Sequence, residues 1–139
     1  MDTKELIRAA LEARDNAYAP YSRFKVGAAL LTESGRIYTG CNIENVAFGP
    51  TNCAERTAFF KAVSEGERNF VAIAIVGDRE ELKIPENFSY PCGVCRQVMC
   101  EFCGDGFTVI TATGPDSYET HTLGELMPHS FGKGNLRQD

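Results

Sequence analysis

Histidine is nearly absent from this chain of 139 residues: His121 and His129 are the two present, neither stands at ligand spacing, and both read as surface or loop residues. Any metal chemistry must then rest on other side chains. Basic blocks are missing as well. Lys and Arg number 14 against 19 Asp and Glu, a formal net charge of -5, and no run of Lys or Arg supplies the electrostatic footprint that a nucleic-acid backbone demands. A small, neutral or weakly charged substrate fits that balance. No window reaches the length of a membrane span, and Met1-Asp2-Thr3-Lys4-Glu5 lacks the positive region and apolar run of a signal peptide, so a cytoplasmic location is expected. There is no internal repeat and no low-complexity segment. With 43% hydrophobic residues, the length matches a single domain over 1–139 that can bury its own core.

Apolar periodicity then orders the elements. Leu6, Ile7, Ala10, Leu11 and Arg14 recur at helical spacing, which predicts a helix from Thr3, taken as its N-cap, to about Ala17. Val26 to Leu31 and Ile37 to Cys41 flank a Gly-containing turn and read as a hairpin. A loop from Asn42 to Pro50 leads to a second helix, beginning near Asn52 and ending at Gly66. Phe70 to Val76 is an unbroken apolar run, the mark of a central strand covered on both faces. An irregular stretch from Asp78 to Ser89, a third helix opened by Pro91-Cys92-Gly93, a strand from Phe107 to Ala112 and a short irregular tail complete the chain. The order α-β-β-α-β-α-β predicts an α/β fold, a three-layer α/β/α sandwich around a mixed sheet of about five strands.

Against this frame the six cysteines stand out. In a cytosolic chain they read as metal ligands and small buried hydrophobes rather than disulfides. Cys53-Ala54-Glu55 and Pro91-Cys92-Gly93-Val94-Cys95 each sit at the start of a predicted helix, where free N–H groups and the positive end of the helix dipole favour thiolate over thiol. Cys53, Cys92 and Cys95 together make a soft donor set suited to one zinc ion per subunit, and three protein ligands leave a fourth position for water. Glu55, two residues after Cys53, is placed to move a proton to and from that water. Three thiolates leave a dication formally negative, so a compensating cation is expected: Arg56 beside Glu55, with Arg96 as the alternative.

Simpler readings compete. A Cys-x-x-Cys pair by itself also marks a structural zinc knuckle or a redox motif, and it is the third cysteine with Glu55 that separates the catalytic reading from these. A four-cysteine site from Cys92, Cys95, Cys100 and Cys103 fails on length, because residues 92 to 103 of a helix span roughly 16 Å. Cys100 and Cys103 therefore read as packed or half-exposed thiols, and Cys41 as a strand-end core residue.

Cys53-Ala54-Glu55 with Pro91-Cys92-Gly93-Val94-Cys95-Arg96-Gln97 resembles the zinc signature of the nucleoside and nucleobase deaminases, in the three-cysteine form of the small homotetrameric cytidine deaminases. Phe24-Lys25-Val26-Gly27-Ala28-Ala29-Leu30 and Gly40-Cys41-Asn42-Ile43-Glu44-Asn45 are similar to that family's substrate-side motifs. The resemblance, which covers nearly the whole chain, implies that Phe24 flanks the pyrimidine, that Asn42 and Glu44 bind the ribose 3'-hydroxyl, and that Ala54 bonds the pyrimidine through its backbone. It also implies a homotetramer, with Phe48 in the loop Ala47-Phe48-Gly49 and Phe131 near the C-terminus reaching neighbouring sites. Phe48 stands where Tyr is common in the family. The implied reaction is hydrolytic deamination of cytidine and deoxycytidine to uridine and deoxyuridine in pyrimidine salvage, with Glu55 carrying a proton to N3 and then to the departing ammonia.

Within the class, a deaminase of an aminonucleoside antibiotic is the nearest rival, and Asn42-Ile43-Glu44-Asn45 weighs against it. A polynucleotide-editing deaminase fits less well still, because this chain has neither a basic surface nor a histidine in the first ligand position. From a different class, a non-catalytic zinc-binding module would hold metal without an open coordination site.

Overall fold

The computed structural model describes residues 1–136; the last three residues of the expected 1–139 domain lie outside the described residues. Helix α1 spans Thr3–Arg14 and is capped by Asp2 rather than Thr3, because the Asp2 carboxylate reaches the Glu5 N–H at 3.1 Å. It stops short of Ala17, where the chain turns so that the Tyr18 N–H can donate to the Asn42 carbonyl at 3.0 Å.

Strand β1 (Phe24–Thr32) pairs antiparallel with β2 (Ile37–Cys41) through a turn at Gly35, whose φ of +92° suits glycine. On its other edge β1 pairs antiparallel with β3 (Phe70–Arg79), starting at Phe24 opposite Arg79, which lengthens both strands beyond their apolar runs. Helix α2 (Ala54–Ser64) lies between β2 and β3 in the chain. Helix α3 (Gly93–Phe102) is the crossover from β3 to β4 (Thr108–Gly114), its parallel neighbour. The sheet order is β2-β1-β3-β4-β5.

Strand β5 (Ser117–Thr122) and the short helix α4 (Leu123–Leu126) occupy what the sequence suggests is an irregular tail. The reason is compositional. Ser-Tyr-Glu-Thr-His-Thr is an edge strand exposed along most of its length, so it carries no apolar alternation to read.

Two cores flank the sheet. Leu6, Ile7 and Ala10 of α1 meet Ala29, Ala74, Val76 and Ile110 on one face. Ala54, Ala58 and Phe59 of α2 and Met99 of α3 meet Leu30, Ile73, Ile75 and Val109 on the other. The result is the three-layer mixed-sheet architecture. α2 approaches β2 closely: a Cβ on Gly40 would lie 2.5 Å from the Ala54 carbonyl oxygen and 2.6 Å from the Ala58 nitrogen. Gly27 does the same for α1, at 2.1 Å from the Ala10 oxygen.

The end of β3 is anchored by two buried charged side chains, each bonded to backbone. Arg14, 4% exposed, donates to the carbonyls of Lys25, Asp78, Arg79 and Lys83 at 2.9 to 3.1 Å. The Asp78 carboxylate, equally buried, accepts from the backbone of Arg79, Glu86 and Asn87. These bonds hold the connection that leads into α3.

Because backbone atoms rather than movable side chains crowd Gly40, Gly40→Ala should cost about 3 kcal/mol. Differential scanning calorimetry should show a fall in Tm of roughly 10 °C.

Candidate active site

Cys53 is the N-cap of α2 and Cys92 the N-cap of α3, both in extended conformation, and neither caps its own helix through its sulfur. The sulfurs point at each other instead, with Cys95 from the first turn of α3. The Cys53–Cys92 distance is 3.9 Å and the Cys92–Cys95 distance 3.5 Å, with all three sulfurs within 4.8 Å of one another. A tetrahedral ion with Zn–S bonds of about 2.3 Å needs sulfurs roughly 3.8 Å apart, so the donor set fits zinc. Cys41, Cys100 and Cys103 join no such cluster among the described residues. All three are half-buried, and burial pushes the Cys103 thiol up to about 12, out of reach of ordinary thiolate chemistry.

The Arg56 guanidinium donates from Nη2 to the Cys53 sulfur at 3.2 Å. Arg96, the other candidate, is committed elsewhere: its Nε bonds the Pro91 carbonyl at 2.8 Å and its Nη1 the Leu126 carbonyl at 2.6 Å. Among the protein's own groups, a hydrogen bond from Cys95 and then the Arg56 cation bring Cys53 down to about 5 against the cost of burial. Cys95, the donor in that bond and itself buried, is driven up correspondingly. Burial also dominates at Glu55, 5% exposed, whose carboxyl is pushed up to about 7. Such a group exchanges protons near neutral pH.

Cys53, Glu55 and Cys92 line a cavity of about 320 Å³, within the roughly 300–1,000 Å³ typical of small-molecule sites. Phe24, Asn42, Glu44 and Ala54 line it too. The Asn42 amide bridges the edge of β1, donating to the Phe24 carbonyl and accepting from the Val26 N–H, both at 2.8 Å. Its second N–H and remaining lone pair stay available to a hydroxyl group. Glu44 accepts from the N–H groups of Tyr21 and Ser22 at 2.9 and 3.0 Å and from the Ser22 hydroxyl. Desolvation raises the Glu44 carboxyl, but the Ser22 and Tyr21 bonds outweigh it and hold the group below its ordinary value. It stands as a carboxylate.

The cavity also contains Val26, Thr51, Asn52, Ile75, Ser89 and Tyr90, which the sequence reading did not single out. Their one available signal was adjacency: Ser89-Tyr90 runs directly into Pro91-Cys92, and Thr51-Asn52 into Cys53. Phe48 and Phe131 do not line this cavity. Phe48 is 86% exposed and lines an adjoining hollow with Tyr21 and Glu44. Phe131, 60% exposed, lies beside α3, where its carbonyl accepts from Gln97 Nε2 at 2.8 Å.

A family model described as the cytidine and deoxycytidylate deaminase zinc-binding region matches residues 1–111. The chain belongs to the cytidine and deoxycytidylate deaminase family. It is 52% identical to a cytidine deaminase of Sporosarcina psychrophila over 98% of this chain and 96% of that one. A cytidine deaminase of Halalkalibacterium halodurans is 50% identical over 94% and 95%. Among solved structures, the cytidine deaminase of Burkholderia pseudomallei superposes with a TM-score of 0.82 at 45% identity, covering 91% of this chain and 97% of that one. As a deaminase of this family the chain is a hydrolase, and its cofactor is zinc, one per subunit at the three-cysteine cluster.

Metal bound at thiolates from two helix starts stabilises the fold that brings them together. Cys95→Ser should therefore drop the zinc content, measured by plasma emission, well below one per chain. The same variant should melt several degrees below the wild type, and chelation of wild-type zinc should lower Tm in the same direction.

Proposed function

We propose that this chain is a cytidine and deoxycytidine deaminase of pyrimidine salvage in the cytoplasm, releasing uridine or deoxyuridine and ammonia. The observation that carries the reading is the pairing, in one cavity, of a buried carboxylate beside a three-thiolate cluster with an amide and a carboxylate able to grip a sugar hydroxyl. A free base would leave Asn42 and Glu44 without a role. The cytidine deaminases at 50% identity and above support the same substrate class.

Zinc held by Cys53, Cys92 and Cys95 supplies Lewis acidity, activating water as a nucleophile near neutral pH. Glu55 takes a proton from the attacking water and delivers it to N3 of the pyrimidine as C4 becomes tetrahedral, then takes the remaining proton of the new C4 hydroxyl and passes it to the amine, so that the C4–N bond breaks, ammonia leaves and the C4 carbonyl forms. Its raised affinity for protons suits both transfers. The Arg56 cation offsets the thiolate charge, so the water is more readily deprotonated. Phe24 packs against the pyrimidine, the Ala54 backbone bonds it, and Asn42 and Glu44 fix the ribose. The exposed rings of Phe48 and Phe131 suit contacts between subunits of a homotetramer, each closing a neighbour's site.

Ultraviolet absorbance should show conversion of cytidine and deoxycytidine, with cytosine and blasticidin S left unchanged; conversion of blasticidin S alone would transfer the reading to antibiotic detoxification. Glu55→Gln should retain zinc and fold while kcat falls by about 10²–10⁴-fold, because only proton transfer is removed. Full activity in that variant would remove Glu55 from the mechanism. Asn42→Ala should raise KM for cytidine by about tenfold, the loss of a hydrogen bond to a bound hydroxyl.

A further inference from the structure

Tyr90 belongs to no motif of the site, yet it lines the cavity two residues before Cys92. Its neighbours are pinned on both sides. The Ser89 hydroxyl donates to the Gly77 carbonyl at 2.8 Å, and the Pro91 carbonyl accepts from Arg96 Nε at 2.8 Å. What freedom remains lies in the ring, and edge strand β5 removes it. The Tyr90 hydroxyl donates to Glu119 Oε1 at 2.6 Å, and the ring meets the His121 imidazole edge-on at 5.7 Å between centroids. His121 Nε2 lies 3.5 Å from the same Glu119 oxygen.

Strand register explains how β5 reaches the cavity. Glu119 stands opposite Thr111 and His121 opposite Val109, and Val109 belongs to the core under α2 and α3. Directly opposed residues share a face of the sheet, so Glu119 and His121 project toward the layer that holds the zinc ligands. Two side chains, Glu119 and His121, thus fix one half-exposed ring in the wall of a small-molecule site. A ring fixed before binding loses no rotamer freedom when substrate arrives, which favours affinity.

We propose that Tyr90 is a substrate-contacting wall of the nucleoside pocket and that Glu119, on β5, is the positioning residue that holds it there. The proposal rests on the reading of the cavity as a nucleoside site. Tyr90 supplies an aromatic face to the bound nucleoside, while Glu119 acts through Tyr90 and touches no substrate. Because the contact is the same in the ground state and at the barrier, its loss appears in KM rather than kcat.

The test is steady-state kinetics on cytidine for Tyr90→Ala, Tyr90→Phe, Glu119→Ala, Glu119→Gln and the double variant Tyr90→Phe/Glu119→Ala, with zinc per chain and Tm measured alongside. Glu119→Ala and Tyr90→Phe should each raise KM by about fivefold, with kcat within about twofold of wild type. The double variant should lose no more than either single change, since both remove the same bond. Glu119→Gln keeps an acceptor oxygen and should recover most of the loss, whereas Tyr90→Ala should raise KM furthest. An unchanged KM in Glu119→Ala overturns the proposal. So does a Gln variant as impaired as Ala, or a fall in kcat and zinc at constant KM, which would make Tyr90 merely a support for Cys92. A wild type that leaves cytidine unconverted overturns the functional reading itself, and is seen before any variant is compared.

Discussion

The distance between two helix starts governs this molecule. Cys53 and Cys92 sit at the N-caps of α2 and α3, and one ion can be shared only if those two ends meet with their sulfurs about 4 Å apart. Much of the scaffold serves that meeting. Gly40 lets α2 settle onto β2, and Ala54, Ala58, Phe59 and Met99 pack both helices on one face of the sheet. The parallel pairing of β3 with β4 makes α3 a crossover on that same face. α1 covers the opposite face, and through Arg14 it also braces the connection from β3 toward Cys92.

Helix starts are suitable places for this chemistry because they supply positive potential without a metal-binding loop. Three thiolates on a dication nevertheless overshoot neutrality, and a weak Lewis acid would follow. Arg56, two residues past α2's first, returns part of that charge to the sulfur of Cys53. Glu55 lies between them on the same turn, buried enough to hold its proton near neutral pH. One helical turn therefore carries a zinc ligand, the buried carboxyl proposed to carry the proton and a guanidinium bonded to the ligand's sulfur, and their relative placement follows from helix geometry rather than from loop packing. That economy leaves loops and edges free to define the substrate.

Legibility in the sequence followed the same division. Cys53, Cys92 and Cys95 announced themselves through residue type and spacing, because metal chemistry tolerates few alternatives. The apolar run at Phe70 to Val76 likewise marked the central strand. What escaped was set by tertiary contact. β5 is polar and exposed, so no periodicity betrayed it, and Asp2 rather than Thr3 caps α1 for reasons visible only in the carboxylate's reach to Glu5. Tyr90 fell between the irregular stretch that ends at Ser89 and the helix opened by Pro91. Its importance comes from Glu119 and His121, 29 and 31 residues further on, which only sheet register brings beside it. Arg56 is preferred to Arg96 from its place beside Glu55, and the structure adds its bond to the Cys53 sulfur and the commitment of Arg96 to two carbonyls.

In the proposed mechanism the three-thiolate cluster and Glu55 are arranged around a tetrahedral C4 of a pyrimidine nucleoside. Calorimetric titration with a pyrimidine nucleoside carrying a hydroxylated, tetrahedral centre at the C4-equivalent position tests it most directly. One molecule should bind per chain, at least about 10²-fold more tightly than cytidine, because such a site is complementary to the barrier rather than to the substrate. Binding no tighter than that of uridine, or no binding to zinc-loaded protein, would contradict the claim.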